Sequence, residues 1–304
     1  MTDFAGELLE RWQVRKNRKQ KTAFIERMRQ EYPLLHVEES GGCRNLVLGD
    51  VDSAEVVFSA HYDTCARMLL PNFLMPRSIV VSLLYGLLIV LPFVALFGFA
   101  EILAVIAAVN SGMGEDAALL LGTCIYVALF LLLFILLLMG PANPHTVNDN
   151  TSGIITLVEL YAAMTDEQRN KAAFVFFDRE EVGLLGSAQF KKRHKNAMRR
   201  KLLINFDCVS DGDTIALIGG KKLPEKYMER LGALFSEKCG KTFLVESASK
   251  MYYPSDQRHF DYGVGVAAFK GKKHLYLDRI HTKRDTVFDE KNICCLVDGM
   301  SKLV

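Results

Sequence analysis

Apolar positions along the chain fall into three regimes, and each predicts a different kind of element. Residues 3 to 31 carry apolar side chains at helical spacing. Phe4, Leu8 and Trp12 lie on one face, and Phe24, Ile25 and Met28 on another stripe. The basic run from Arg15 to Lys21 between them reads as a solvated helix face, with acidic lipid headgroups as a second use. From Leu34 to Ala60 the pattern turns extended. Leu34 to Val37, Leu46 to Leu48 and Val56 to Ser59 are short apolar pieces separated by Gly-Gly or Gly-Asp turns, which predicts strands.

The second half alternates between the two periods. IITLVELYAAM predicts a helix with Thr151 or Ser152 as its N-cap. Ala172 to Phe177, Leu202 to Phe206, Thr214 to Gly219 and Val264 to Phe269 predict strands. Leu184 to Lys195 and Pro224 to Lys238 predict helices, Ser255 to Phe260 a short helical stretch, and the C-terminus a last helix. Strands alternating with helices predict an α/β fold with a mixed, largely parallel central sheet flanked by helices.

The middle of the chain departs from this. Ile79 to Ala100 and Ala117 to Met139 are uncharged and about as long as a helix needs to cross a bilayer. Pro92 would kink the first, which bilayer helices tolerate. The expected organisation is 1–76 as the first part of a catalytic domain, 77–140 as a transmembrane hairpin with spans at 79–100 and 117–139, and 141–304 as the rest of that domain. A hairpin returns the chain to the side it left, so the segments before Pro71 and after Pro141 are free to fold together. The connector carries Glu101, Glu115 and Asp116 but no Lys or Arg. The outer flanks carry Arg67, Arg77 and the basic N-terminal segment. By the positive-inside bias this predicts an integral membrane protein with both flanks in the cytosol.

Composition adds little to that picture. A net charge of +2 over 304 residues argues against nucleic acid as a partner. The N-terminus is charged and amphipathic and does not read as a secretory signal peptide. Seven cysteines, an odd number with no CxxC, predict free thiols in a reducing compartment.

Candidate chemistry gathers at predicted strand ends. FVFFDREEVGLLGS runs from Phe174 to Ser187. It reads as a buried strand followed by adjacent carboxylates, Glu180 and Glu181, then Gly183 and Gly186, where a chain turns tightly or approaches something closely. Adjacent acids at the mouth of a buried strand suit a cation. His61 and Asp63 follow a strand as His-x-Asp, a spacing at which the carboxylate can orient a metal-bound imidazole. Asp207 stands at the end of another strand, and Asp149 and His281 lie in polar loops. Carboxyl ends of strands form the ligand crevice of open α/β sheets. Two imidazoles and several carboxylates fit Zn²⁺ or a similar divalent ion, and there are enough of them for two.

These segments, HYDT, NDNTSG, REEVGLLGS, NFDCVSDGD, YPSDQRHF and IHTKRDT, occur in one order. In that order the chain resembles the M28 family of metallopeptidases, the co-catalytic zinc aminopeptidases. The resemblance implies two Zn²⁺. His61 and Asp207 would hold one, Glu181 and His281 the other, with Asp149 bridging both. It implies Glu180 as general base, Asp63 as the partner of His61, and Asp285 as a further supporting acid. A peptide substrate is implied, trimmed from its N-terminus. Tyr252, Tyr253 and Arg258 are candidates for lining the substrate pocket. The hairpin departs from the family's usual short loop between the HxD and DN motifs. It places the mouth of the site near the lipid bilayer, which makes membrane-derived peptides candidate substrates. Carboxypeptidase or glutaminyl cyclase activity on the same fold, and a non-catalytic peptidase-like membrane protein that binds partners, are the alternatives.

Overall fold

The structure, a computed structural model, describes all residues but 69, 71 and 236–239. Two compact units are formed, one from Met1–Ser78 together with Ala142–Val304, the other from Ile79–Pro141.

In the first unit the chain runs α1 (Asp3–Arg11), α2 (Arg18–Glu31), β1 (His36–Ser40), β2 (Cys43–Leu48) and β3 (Val56–His61). After the second unit it resumes with α5 (Ser152–Ala163), α6 (Asp166–Asn170), β4 (Ala172–Phe177), α7 (Leu185–Arg193), β5 (Leu202–Phe206) and β6 (Thr214–Gly219). It ends with α8 (Glu225–Leu234), β7 (Thr242–Ser247), β8 (Gly263–Phe269) and α9 (Glu290–Met300). The eight strands make one mixed sheet in the order β1-β2-β4-β3-β5-β8-β6-β7. β4, β3, β5 and β8 are parallel neighbours, as are β6 and β7, while β1-β2, β2-β4 and β8-β6 are antiparallel.

The central strands are buried on both faces, which is why their sequences are continuous apolar runs. Alternate residues feed two cores. Phe58, Phe174, Phe176 and Phe206 pack with α1, α2, α5 and α9. Val57, Val175 and Phe177 pack with Phe190 and Phe260 on the other side. β3 is paired with β4 on one side and β5 on the other. The carboxyl ends of these three neighbours therefore open side by side at a switch in strand order.

Three expectations need correction. The N-terminal helix is broken: α1 ends at Arg11 and α2 begins at Arg18, capped by Asn17 with a reciprocal bond from Gln20. The basic run is a solvated face only in its middle: Asn17, Arg18 and Lys19 are exposed, but Arg15 is fully buried and Lys21 nearly so. Lys21 Nζ meets the buried carboxylate of Asp178 at 2.6 Å. The cysteines are not all free. Cys43, Cys65, Cys124, Cys208 and Cys294 are, but Cys295 is disulfide-bonded. Cys239 and the expected helix end at Lys238 lie outside the described residues. β7 was not expected at all; its TFLVES sequence is half-exposed along its length and lacks a buried strand's apolar run.

The second unit is a helical hairpin, α3 (Ile79–Asn110) and α4 (Glu115–Met139). Each is long and apolar enough to cross a membrane. The first helix does not stop at Ala100. It continues through Glu101 for ten residues, leaving Ser111 to Gly114 as the connector. The expected boundary read the charge at Glu101 as an end, whereas Ile102 to Ala108 resume the apolar pattern. The helices approach closely at Ala118 and Gly122, where a Cβ on Gly122 would stand 2.5 Å from Val105 Cγ2.

Candidate metal centre

Three adjacent strand ends and two loops build the site. His61 is the last residue of β3, and Asp207 follows β5 directly. Glu180 and Glu181 sit in the turn after β4. That turn is wound tightly: Arg179, Gly183 and Leu184 all take left-handed φ values of 56°, 105° and 58°. Gly186 then packs so closely that a Cβ there would lie 2.1 Å from the Asp178 carbonyl oxygen. The two glycines thus have the two uses expected of them. Cys208 and His281 are also left-handed, at 57° and 63°. Such conformations cost about 1–3 kcal/mol each for ordinary residues and tend to gather where function demands them.

Asp149 stands at the centre. Its Oδ1 is 3.3 Å from His61 Nε2, and its Oδ2 is 3.1 Å from His281 Nε2. His61 Nε2 is also 3.7 Å from Asp207 Oδ1, and His281 Nε2 is 3.3 Å from Glu181 Oε2. All five expected ligands therefore meet in two half-sites joined by one carboxylate. Bonds of about 2.0–2.1 Å to one tetrahedral ion set neighbouring donor atoms about 3.3 Å apart. The observed separations bracket that spacing.

The surrounding hydrogen bonds fix these groups. His61 Nδ1 lies 3.1 Å from the main-chain carbonyl of Asp63. A carbonyl can only accept, so Nδ1 carries the proton between them, and Nε2 is left facing Asp149 and Asp207. The Asp63 carboxylate was expected to orient the ring, but it lies 3.7 Å from Nδ1. It instead accepts the main-chain amides of Glu180 (2.9 Å) and Glu181 (3.3 Å). Asp285 makes the matching grip on the amides of Asn148 (2.8 Å) and Asp149 (3.0 Å), and is buried rather than a surface acid. Thr151 takes the N-cap position of α5, as expected, but its side chain makes no capping hydrogen bond. Asn150 supplies one instead, its Oδ1 accepting from the amides of Gly153 and Cys208 while its Nδ2 donates to the Phe206 carbonyl.

Electrostatically the cluster holds an excess of acids. Burial pushes Glu180 well above the usual carboxylate range, against the pull of His61 and with Glu181 and Asp207 adding to the rise. Burial likewise raises Glu181 to about 8 and Asp285 to about 7. For Asp149 burial is outweighed by the facing imidazoles of His281 and His61, which hold it well below the usual range. Buried His61 Nε2, Glu181 Oε1 and Asp207 Oδ1 have no hydrogen-bond partner. Orphaned donor atoms aimed at one another across ligand-like gaps fit a zinc-type metal.

Four neighbours of the site were not singled out in the sequence. Arg15 reaches the site from the N-terminal segment. Its Nε donates to the Tyr62 carbonyl at 2.6 Å, its Nη1 to Thr151 Oγ1 at 3.1 Å, and its amide to Thr64 Oγ1 at 3.1 Å. It thereby ties the His61 loop to the Asp149 loop. A guanidinium in a basic run looks solvated, and nothing in the local pattern distinguishes this one. Asp256, within electrostatic reach of Glu180, is fully buried with neither oxygen hydrogen-bonded, and burial raises it to about 7. The thiol of Cys65 groups with Glu181 and His281, and that of Cys208 with Asp149 and Asp207, each set of donor atoms lying within 4.8 Å of one another. Of the expected pocket residues, Tyr253 is buried and its hydroxyl donates to the Asp207 carbonyl at 3.0 Å. Tyr252 and Arg258 line a cavity of about 350 Å³ with Tyr253, Lys221, Met251 and Phe260, the guanidinium lying 5.3 Å from the Tyr252 ring centre.

Residues 137–293, just over half of the chain, match the model of peptidase family M28. No curated protein matches the chain. Solved structures with a similar fold include a Zn-dependent exopeptidase from Parabacteroides distasonis, 12% identical with a TM-score of 0.59, covering 99% of this chain and 94% of that one. A glutaminyl cyclase from Porphyromonas gingivalis is 12% identical with a TM-score of 0.56, covering 99% and 96%. The LapA aminopeptidase from Legionella pneumophila is 12% identical with a TM-score of 0.52, covering 98% of this chain. The chain spans only 65% of LapA's length.

Proposed function

Because the chain belongs to peptidase family M28, we propose that it is a membrane-anchored metallo-exopeptidase, an aminopeptidase holding two zinc ions. The reading is carried by Asp149, whose two oxygens face two different imidazoles at 3.3 and 3.1 Å. His61 and Asp207 would hold one ion and Glu181 and His281 the other, with Asp149 shared. When bound, such ions supply Lewis acidity, which acidifies water and polarises a peptide carbonyl.

The residues of the chain do the rest. Among the described residues the Glu180 side chain makes no hydrogen bond, and its amide is pinned by Asp63 at 2.9 Å. It takes the proton of the attacking water on its carboxylate and returns it to the nitrogen of the leaving amine. Burial keeps its proton affinity high enough for that second step. Asp63 and Asp285 hold the two loops that present Glu180, Glu181 and Asp149, so that the reacting groups are aligned before substrate arrives. The substrate is a peptide with a free N-terminus. The cavity at Tyr252, Tyr253 and Arg258 is the proposed seat of a side chain next to the scissile bond.

The hairpin of α3 and α4 serves as the anchor in the lipid bilayer, and the charge asymmetry of its flanks supports a cytosolic position for the catalytic unit. The disulfide at Cys295 favours the opposite, oxidising side. Labelling of an engineered cysteine in the catalytic unit, in sealed vesicles of known orientation, separates the two.

Purified full-length protein should release N-terminal residues from short peptides and aminoacyl-arylamides. Cleavage of an N-terminally blocked peptide from its carboxyl end would replace this reading with a carboxypeptidase. Cyclisation of an N-terminal glutamine without peptide cleavage would replace it with a glutaminyl cyclase.

A further inference from the structure

We propose that the thiol of Cys65 is an additional, sulfur ligand of the His281–Glu181 half-site, an inference that rests on the metal reading above. Four observations carry it. The sulfur of Cys65, a carboxylate oxygen of Glu181 and a ring nitrogen of His281 all lie within 4.8 Å of one another. Glu181 Oε1 is buried with no hydrogen-bond partner, although its other oxygen is 3.3 Å from His281 Nε2. Cys65 is 3% exposed and is not disulfide-bonded. Its backbone is fixed, since its carbonyl accepts the Asn143 amide at 3.2 Å and the next residue, Ala66, pairs with Ala142.

Donor atoms bound to one zinc, at about 2.0 Å for nitrogen or oxygen and about 2.3 Å for sulfur, lie about 3.5 Å apart in a tetrahedron. The thiol therefore has at most about 1.3 Å to close, within reach of a small χ1 rotation. On binding, the S–H proton leaves to solvent and the sulfur lone pair goes to the ion, as for any cysteine ligand. A thiolate makes this half-site softer than its partner, which is built of imidazole and carboxylates. The half-site accordingly favours zinc, cobalt or cadmium over magnesium or manganese. The competing role is a buried thiol packed on the side chain of Asn143. That role gives no sulfur–metal bond.

The test uses detergent-purified full-length protein loaded with zinc alone, examined by X-ray absorption at the zinc edge, and with Co²⁺ alone, examined for a near-ultraviolet sulfur-to-cobalt band. The expected result is a sulfur shell at about 2.3 Å in the wild type that is lost in Cys65→Ser and kept in Cys208→Ser. The cobalt band should follow the same pattern. A wild type with zinc bound by nitrogen and oxygen alone overturns the role of Cys65 and leaves the aminopeptidase reading standing. A sulfur shell that persists in Cys65→Ser and vanishes in Cys208→Ser also overturns it. A wild type that binds no zinc removes both. Should Cys65→Ser not fold, the wild-type and Cys208→Ser spectra still decide the matter: sulfur in both supports Cys65, and sulfur in neither overturns it.

Discussion

Asp285 holds Asp149 by its main chain: one carboxylate oxygen takes the amide of Asn148 at 2.8 Å and the other the amide of Asp149 at 3.0 Å. The residue that faces both imidazoles is thus aimed by a second acid that grips only its main chain. In Asp285→Asn one of the two amides loses its acceptor. Metal affinity should fall about 10–100-fold, as for other supporting partners of ligand residues. Isothermal titration of the metal-stripped protein with zinc checks this, and unchanged affinity would deny Asp285 that role.

Glu180→Gln keeps the shape of the side chain and removes its ability to carry a proton. Turnover should drop by about 10²–10⁴. Zinc content should stay at the wild-type level, because Glu181 and not Glu180 faces His281. Metal analysis beside a kinetic assay separates a lost base from a lost ligand.

Chelation should abolish activity and lower the melting temperature, and zinc should restore both. Stripped of metal, the site keeps buried carboxylates and orphaned donor atoms facing one another. A ligand present at about 1,000 times its Kd adds about 4 kcal/mol to folding stability. Differential scanning calorimetry with and without chelator reads the shift.

Arg15→Met should destabilise the catalytic unit by about 2–4 kcal/mol, since it leaves the buried Tyr62 carbonyl and Thr151 hydroxyl without their charged donor. Arg15→Lys should rescue little of this, because an ammonium is a point donor and the guanidinium serves two loops at once. Urea denaturation of the three proteins measures the order.

Glu7 is held down to about 2 by hydrogen bonds from Arg27 and Trp12. Its pKa is lower folded than unfolded, so its contribution is present above about pH 4.5 and fades as pH falls toward 2. The group is largely solvated, so that contribution is at most about 1 kcal/mol. The stability gap between wild type and Glu7→Gln should be constant above pH 5 and narrow below pH 4. The fluorescence of Trp12, the only tryptophan, follows it.

Most of the first unit was legible because its central strands are covered on both faces. β4, β5 and β6 match their apolar runs residue for residue, since every position in them is buried. His61, Glu180, Glu181 and Asp207 were legible because they stand at or just beyond the ends of buried strands, where a charge has no structural reason to be, while Asp149 and His281, in polar loops, were legible only through their motifs. What was illegible depended on long-range partners. Arg15 and Lys21 look like their exposed neighbours, and only the fold brings Tyr62, Thr151 and Asp178 to them. β7 forms because β6 offers it an edge, and its own sequence is too polar to announce it. Cys65 gives no signal of its own, because the residues grouped with it are more than a hundred positions away.

Arg179, Cys208 and His281 hold left-handed backbone without being glycine, and each is a site residue or adjoins one. Glycine at Arg179 or Cys208 would ease the chain into its turn, so a screen for heat resistance should recover such changes. The survivors should be sturdier and slower, because an eased turn lets the neighbouring acid wander. At these positions the molecule gives up durability in exchange for aim.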